Sequence, residues 1–206
     1  LTIALVYDYL VIKMEAKKRL LKLLYKNSFL YDPIKGFTLT SGKKSGVYFD
    51  CKKTTLTSKG MVLVGQLFWQ RIKGLDIKAI GGLSLGADPI VCATVMQAAK
   101  EGEAIDAFLV RNEPKGHGTK GWLEGNIKEG IKVVIVEDVV TTGGSVLKAI
   151  SKAEEAGLKV IKVIMLIDRE EGGREAIETK GYECDTIFRH LDFMEFKKEA
   201  FQLKTF

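Results

Sequence analysis

Apolar residues recur along this chain at two spacings, and each switch between them marks an element. Met14 opens an amphipathic helix whose clearest turns span residues 17–25. Residues 36–50 instead alternate apolar with polar around a glycine-rich turn, the pattern of a β-hairpin. Helical spacing returns over 58–73, with Gly74 as its stop, and over 88–100, where Pro89 suits the first turn. Short apolar runs at 78–81, 105–110, 133–140 and 160–167 predict strands. The third is a β-branched run of the kind buried in parallel sheets. A helix follows it over 146–156 and stops at Gly157. Residues 111–130 hold too many glycines and too few spaced apolar positions for a helix, so a long loop or flexible hairpin is expected. From 168 to 206 the pattern is mixed.

Alternation of strand and helix from 78 to 167 predicts an α/β fold, a parallel sheet with helices on both faces. A chain of 206 residues suits one domain. Residues 58–206 would be its core. The helix and hairpin of about 14–57 would form a small N-terminal hood over the carboxyl edge of the sheet, where open α/β folds bind ligands. Residues 1–13 are apolar but too short to span a bilayer, include Asp8, and lack the basic flank and cleavage site of a secretory signal. An added strand and an upstream extension both fit them.

Composition narrows the chemistry. The hydrophobic fraction is 46% and the charged fraction 28%, as in ordinary soluble proteins with a sizeable core. The net charge of +6 suits nucleic acid or small anionic substrates. No RNP-like aromatic motif or long basic run favours the former, so a small anion is expected, with neither nucleic acid nor membrane as partner. Three cysteines without CxxC spacing suggest neither disulfides nor zinc, and two histidines are too few for a histidine-rich metal centre. A reducing cytoplasm fits.

The densest chemistry lies in Val133 to Ser145, where an apolar run meets the acidic pair Glu137-Asp138 and the turn Thr141-Thr142-Gly143-Gly144-Ser145. Small residues with free N–H groups at a helix start form an anion site. Carboxylates just upstream need another task, such as holding hydroxyls or facing a cation. Phosphoribosyl pyrophosphate (PRPP), with its phosphate and its diol, satisfies both halves. Gly81-Gly82-Leu83-Ser84-Leu85-Gly86-Ala87-Asp88-Pro89 is a second glycine turn before a helix, explained equally by pyrophosphate binding and by tight packing. Ser41-Gly42-Lys43-Lys44-Ser45 resembles a Walker A loop only superficially, since Phe37 stands where the first glycine belongs and Lys44 where Ser or Thr belongs. The basic, glycine-rich stretch from Arg111 to Gly121 could close over phosphates. Arg169, in Asp168-Arg169-Glu170-Glu171, could fork onto a carboxylate or pair with Glu170 or Asp168.

Taken together, FTLTSGKKSGVYFD, GGLSLGADPI, RNEPKGHG, VVIVEDVVTTGGS and LIDREEGG, in that order, resemble the type I phosphoribosyltransferases, and among them the orotate phosphoribosyltransferase family. The likeness covers most of residues 15–206. It implies Mg²⁺-dependent transfer of a ribosyl 5-phosphate group from PRPP to orotate, in pyrimidine nucleotide synthesis. By the same likeness Glu137 and Asp138 hold the ribose hydroxyls near Mg²⁺, and Thr141, Thr142, Gly143, Gly144 and Ser145 cradle the 5′-phosphate. Ser84 and Leu85 flank a pyrophosphate turn carrying a non-proline cis bond. Arg111, Lys115 and His117 bind pyrophosphate, with Asp138 among the catalytic groups. Tyr48, Phe49, Thr141 and Arg169 hold orotate. The likeness also implies a homodimer in which loop 111–121 reaches the neighbouring subunit's site. Thr40, Asn112 and Gly86 stand where members often carry lysine, and Glu137 replaces a more usual Asp. Two rivals share the fold: a purine phosphoribosyltransferase and an RNA-binding regulator without turnover.

Overall fold

A computed structural model describes residues 3–38, 44–114 and 121–202. The first helix, α1 (Ile3–Asn27), takes in most of the segment for which a separate strand was one expectation. No glycine or proline interrupts the chain from Ile3 to Asn27, so the apolar stretch continues the helix. Its C-terminal half buries Leu20 and Leu24 completely. Among the described residues, no helix is long and apolar enough to cross a membrane.

The hood follows as two short ribbons. Strands β1 (Phe29–Tyr31), β2 (Phe37–Thr38), β3 (Lys44–Ser45) and β4 (Val47–Phe49) pair antiparallel, β1 with β4 and β2 with β3. The expected 36–50 hairpin is thus present as β2–β3, while β4 turns away to pair with β1. Helices α2 (Lys52–Thr55) and α3 (Ser58–Ile72) lead into the core. The Thr57 hydroxyl caps α3 by accepting from Gly60 N–H at 3.1 Å.

The core continues with β5 (Ala79–Leu83), α4 (Asp88–Lys100), β6 (Asp106–Val110), β7 (Leu123–Glu124), β8 (Lys132–Val140) and α5 (Gly144–Glu155). It ends with β9 (Lys159–Asp168), α6 (Gly173–Glu178), β10 (Cys184–Arg189) and α7 (His190–Gln202). The sheet order is β10-β9-β8-β5-β6-β7. Every neighbouring pair is parallel except β6–β7, so the expected parallel sheet gains one antiparallel edge strand. That edge strand is two residues long, within the stretch read as loop or hairpin. The mixed C-terminal region supplies β10 and two helices.

Alternation along the central strands builds a core on each face. Val134 and Val136 of β8 join one cluster with Leu20, Phe68, Ile90 and Phe193. Val133 and Ile135 join the other with Val146, Ile150 and Ile177. Helix α4 therefore covers one face and α5 the other, as expected. The chain leaves β5 through α4 toward β6, and leaves β8 through α5 toward β9. The connections diverge between β5 and β8, the topological switch point at which open α/β sheets bind ligands.

Candidate active site

Pairing of β5 with β8 stops at Gly81↔Ile135, while β8 stays paired with β9 as far as Val140↔Asp168. The last residues of β8 therefore border a crevice on their β5 side. Glycine makes the near wall thin. A β-carbon at Gly82 would collide with the Val136 carbonyl, and one at Gly86 would lie 2.7 Å from Asp138 Cγ.

On the β8 wall, Glu137 is buried and Asp138 half-buried. Asp138 N–H donates to Glu137 Oε1 at 3.1 Å, and Val139 N–H donates to Asp138 Oδ1 at 2.9 Å. Burial first, and the Asp138 carboxylate next, push the Glu137 carboxyl well above the usual carboxylate range. Beyond the pair, Gly143 turns the chain at φ +83° and starts α5. No side chain caps this helix, so its first N–H groups are open to an anion. A cleft of about 230 Å³ lies here, lined by Glu137, Thr141, Thr142, Gly144 and Ser145 among others. The turn is held from behind by Gly173, whose absent side chain admits the Thr141 carbonyl and leaves the Gly143 nitrogen 2.8 Å from a hypothetical β-carbon.

On the β5 wall the Ser84–Leu85 peptide is cis, as the resemblance implies. Ser84 Oγ donates to Asp88 Oδ1 at 2.9 Å, and Ser84 N–H donates to the Val110 carbonyl at 2.8 Å. Arg111 leaves β6 beside this turn. Its Nη1 pairs with Glu124 Oε1 at 2.9 Å, and its Nε donates to the Glu113 carbonyl at 3.2 Å.

The hood closes the third side, and Arg169 anchors it. Only 3% exposed, Arg169 donates to the Val47 carbonyl at 3.2 Å, to Ser45 Oγ at 2.9 Å and to Glu171 Oε1 at 2.6 Å. Its ion-pair partner is thus Glu171, while Asp168 accepts from Glu170 N–H at 2.8 Å. The Arg169 guanidinium lies 5.7 Å from the Phe49 ring centroid, and its Nε is buried without a partner. Strand alternation separates the two aromatic candidates. Tyr48 faces outward, whereas Phe49 is buried, with ring centroids 5.3 Å from Phe29 and 4.8 Å from Phe193. The Phe49 side chain belongs to the core, so an edge-on or backbone contact is what it can offer a base.

The structure thus brings together Ser84, Leu85, Glu137, Asp138 and residues 141–145, with Arg111 on one flank and Tyr48 and Arg169 on the other. Thr40, Lys43, Lys115, His117 and Lys120 lie outside the described residues. Sequence reading missed Lys52. Its ammonium lies 3.6 Å from Asp50 Oδ1. Although burial opposes it, the Asp138 and Asp50 carboxylates hold its pKa above the ordinary lysine value. Lys52 is therefore a cation between the hood and the acidic strand end. Nothing in its local sequence marks this, since the proximity comes from the packing of α2.

Comparison with known proteins agrees with this geometry. Residues 92–198 match the family model described as the phosphoribosyl transferase domain. The orotate phosphoribosyltransferase of Aquifex aeolicus is 42% identical over 176 residues, 85% of this chain and 96% of that protein. The Mycobacterium tuberculosis orotate phosphoribosyltransferase, crystallised with Fe(III) dicitrate, superposes with TM-score 0.75 at 33% identity, covering 86% of this chain and 98% of that one. A crystal structure of the same enzyme in complex with PRPP gives TM-score 0.72 at 31% identity, with the same coverage.

Proposed function

This chain belongs to the orotate phosphoribosyltransferase family, and we propose that it transfers the ribosyl 5-phosphate group of PRPP to N1 of orotate, giving orotidine 5′-monophosphate and pyrophosphate. One observation carries the reading: at the switch point between β5 and β8, an acidic strand end and an uncapped helix start share one cleft. That arrangement suits a ligand with a diol next to a phosphate.

The open N–H groups of α5 and the hydroxyls of Thr141, Thr142 and Ser145 would take the 5′-phosphate. Glu137 and Asp138 would accept hydrogen bonds from the ribose hydroxyls and so orient C1′. Pyrophosphate would lie along Ser84 and Leu85, met by Arg111 and by Lys115 and His117 of the basic loop. Tyr48, Thr141, the Phe49 backbone and Arg169 would place the base on the opposite side of C1′. The bond from C1′ to the pyrophosphate oxygen breaks as the N1–C1′ bond forms, with inversion and an oxocarbenium-like transition state, as in other glycosyl transfers. The N1 proton of orotate would leave as the N1–C1′ bond forms, passing to water or to the departing pyrophosphate; the ring N–H is acidic enough that the chain needs no strong general base. Most of its work is to stabilise the departing oxygens with fixed donors.

Mg²⁺ fits the residues present. Two adjacent carboxylates border the crevice, and the burial that disfavours charge on Glu137 would be offset by a cation. The ion would sit near Glu137 and Asp138 and be carried mainly by PRPP and water. When bound, Mg²⁺ supplies positive charge to the pyrophosphate leaving group. The active unit would be a homodimer, with loop 111–121 reaching the neighbouring site.

The test is loss of orotate absorbance with PRPP and Mg²⁺, run beside adenine, guanine, xanthine and uracil. Consumption of orotate alone is expected. Turnover with a purine only would overturn the base assignment. Silence with every base, together with salt-sensitive RNA binding, would favour a regulator.

A further inference from the structure

Asn112 follows Arg111 just past the end of β6. It is exposed, yet it ties three elements together. Its Nδ2 donates to the Ser84 carbonyl at 2.5 Å, and its own carbonyl accepts from Lys148 Nζ of α5 at 2.7 Å. Lys148 is steadied in turn, with its ammonium 5.3 Å from the Trp122 ring centroid and that of Lys152 4.6 Å from the same ring. Trp122 closes the circuit, because its carbonyl accepts the Arg111 N–H at 2.8 Å.

Ser84 is consequently held at both ends, its N–H by Val110 and its carbonyl by Asn112. The second bond has an electrostatic consequence. A carbonyl oxygen turned toward pyrophosphate would repel it, whereas one engaged by an amide stays turned away. We propose that Asn112 is a positioning residue for pyrophosphate, holding the Ser84 carbonyl away from the anion, with Lys148 holding Asn112 from α5. The proposal rests on the reading that the Ser84–Leu85 turn faces pyrophosphate. No assigned role in the reaction touches Asn112 or Lys148. Their bonds link the pyrophosphate wall to the helix whose start would take the 5′-phosphate, so the two ends of one substrate are held by one network.

The experiment compares the full chain with Asn112→Ala, Asn112→Gln and Lys148→Ala. A neutral hydrogen bond of ordinary strength predicts that Asn112→Ala raises the KM for PRPP and the inhibition constant of pyrophosphate about three- to tenfold. The KM for orotate should stay within about twofold, by the same estimate of an unaltered contact. Asn112→Gln keeps the donor and should recover part of the loss. Lys148→Ala should act in the same direction, and the double alanine variant should lose less than the product of the single effects. Unchanged PRPP and pyrophosphate constants in Asn112→Ala, or an equal rise in the orotate KM, would overturn the proposal while leaving the enzyme reading in place. Should the wild type fail to turn over orotate, calorimetry with Mg²⁺ and pyrophosphate still decides. Weaker binding by Asn112→Ala than by wild type supports the proposal, and no pyrophosphate binding by wild type overturns it.

Discussion

Gly86 and the Asp138 carboxylate occupy adjoining space across the crevice, and the glycine hydrogen stands where a β-carbon would lie 2.7 Å from Asp138 Cγ. Asp138 Oδ1 is already engaged by Val139 N–H at 2.9 Å, so the carboxylate has a preferred seat. The glycine is therefore part of how this crevice carboxylate, proposed to meet the ribose, is positioned. It also explains why a lysine cannot stand at residue 86 without moving Asp138.

Gly86→Ala should displace that carboxylate and slow turnover by about 10²-fold, the usual scale for a catalytic group misplaced by about an ångström. The fold should survive, because the clash is with a half-buried side chain at the crevice. Steady-state kinetics beside a thermal melt would test this. Wild-type kcat/KM in a folded Gly86→Ala protein would refute the positioning role.

Arg169 leads to a different kind of prediction. Its guanidinium joins the hood to the strand end through Ser45, Val47 and Glu171 while almost fully buried. Glu171 is exposed and regains water once unpaired, so the loss is that of hydrogen bonds from a charged donor, about 1.5–3 kcal/mol. In a chain of this size Arg169→Ala should therefore lower the melting temperature by roughly 3–12 °C, even without substrate. Arg169→Lys should recover only part, since an ammonium lacks the planar fork. An unchanged melting temperature in the alanine variant would leave Arg169 as a substrate contact alone.

How far the sequence reveals this molecule depends on the range of the interaction. Residues 133–145 declare strand, acidic pair and helix start because β-branched runs and glycine turns act locally. Pro89 and Gly74 mark their helix ends for the same reason. β7 is a two-residue strand whose identity comes from pairing with β6, and β10, Cys-Asp-Thr-Ile-Phe-Arg, neither alternates nor carries a long apolar run. Neither has enough periodicity to be read alone. At the site, the ends of β5 and β8 bring Ser84, Glu137 and Asp138 to the two walls of one crevice. The burial of the Phe49 ring, the Arg169–Glu171 pair and the Lys52 charge near Asp138 are products of packing between segments far apart in the chain.

The basic loop is testable through dimers. Lys115→Ala should slow turnover by orders of magnitude without changing the melt, if it meets departing pyrophosphate as proposed. If the loop serves the neighbouring subunit, mixing this variant with Asp138→Asn should restore activity. Each hybrid then contains one site with both wild-type residues. Verified mixed dimers with no recovered turnover would show that each loop closes its own site.

The acidic pair also imposes a pH dependence on stability. Burial and the adjacent Asp138 carboxylate raise the Glu137 pKa in the folded chain above its unfolded value. The folded state therefore holds this proton more tightly than the unfolded state does. Its contribution to stability is fully present below the unfolded pKa and is lost as pH rises through the folded one. Groups such as Glu101, lowered to about 2 by hydrogen bonds led by that from Lys73, act oppositely and lose their contribution as pH falls. A single substitution separates the two. Glu137→Gln removes the first effect and leaves the second, so its stability relative to wild type should increase from pH 5 to pH 8 in the ligand-free protein. Denaturant unfolding at both pH values measures the difference. PRPP with Mg²⁺ should narrow it, since hydroxyl donors and a nearby cation favour the ionised carboxylate that the empty crevice resists. A constant difference across that range would mean that Glu137 is already ionised in the free protein, held so by the Asp138 N–H and the Lys52 ammonium against the Asp138 carboxylate.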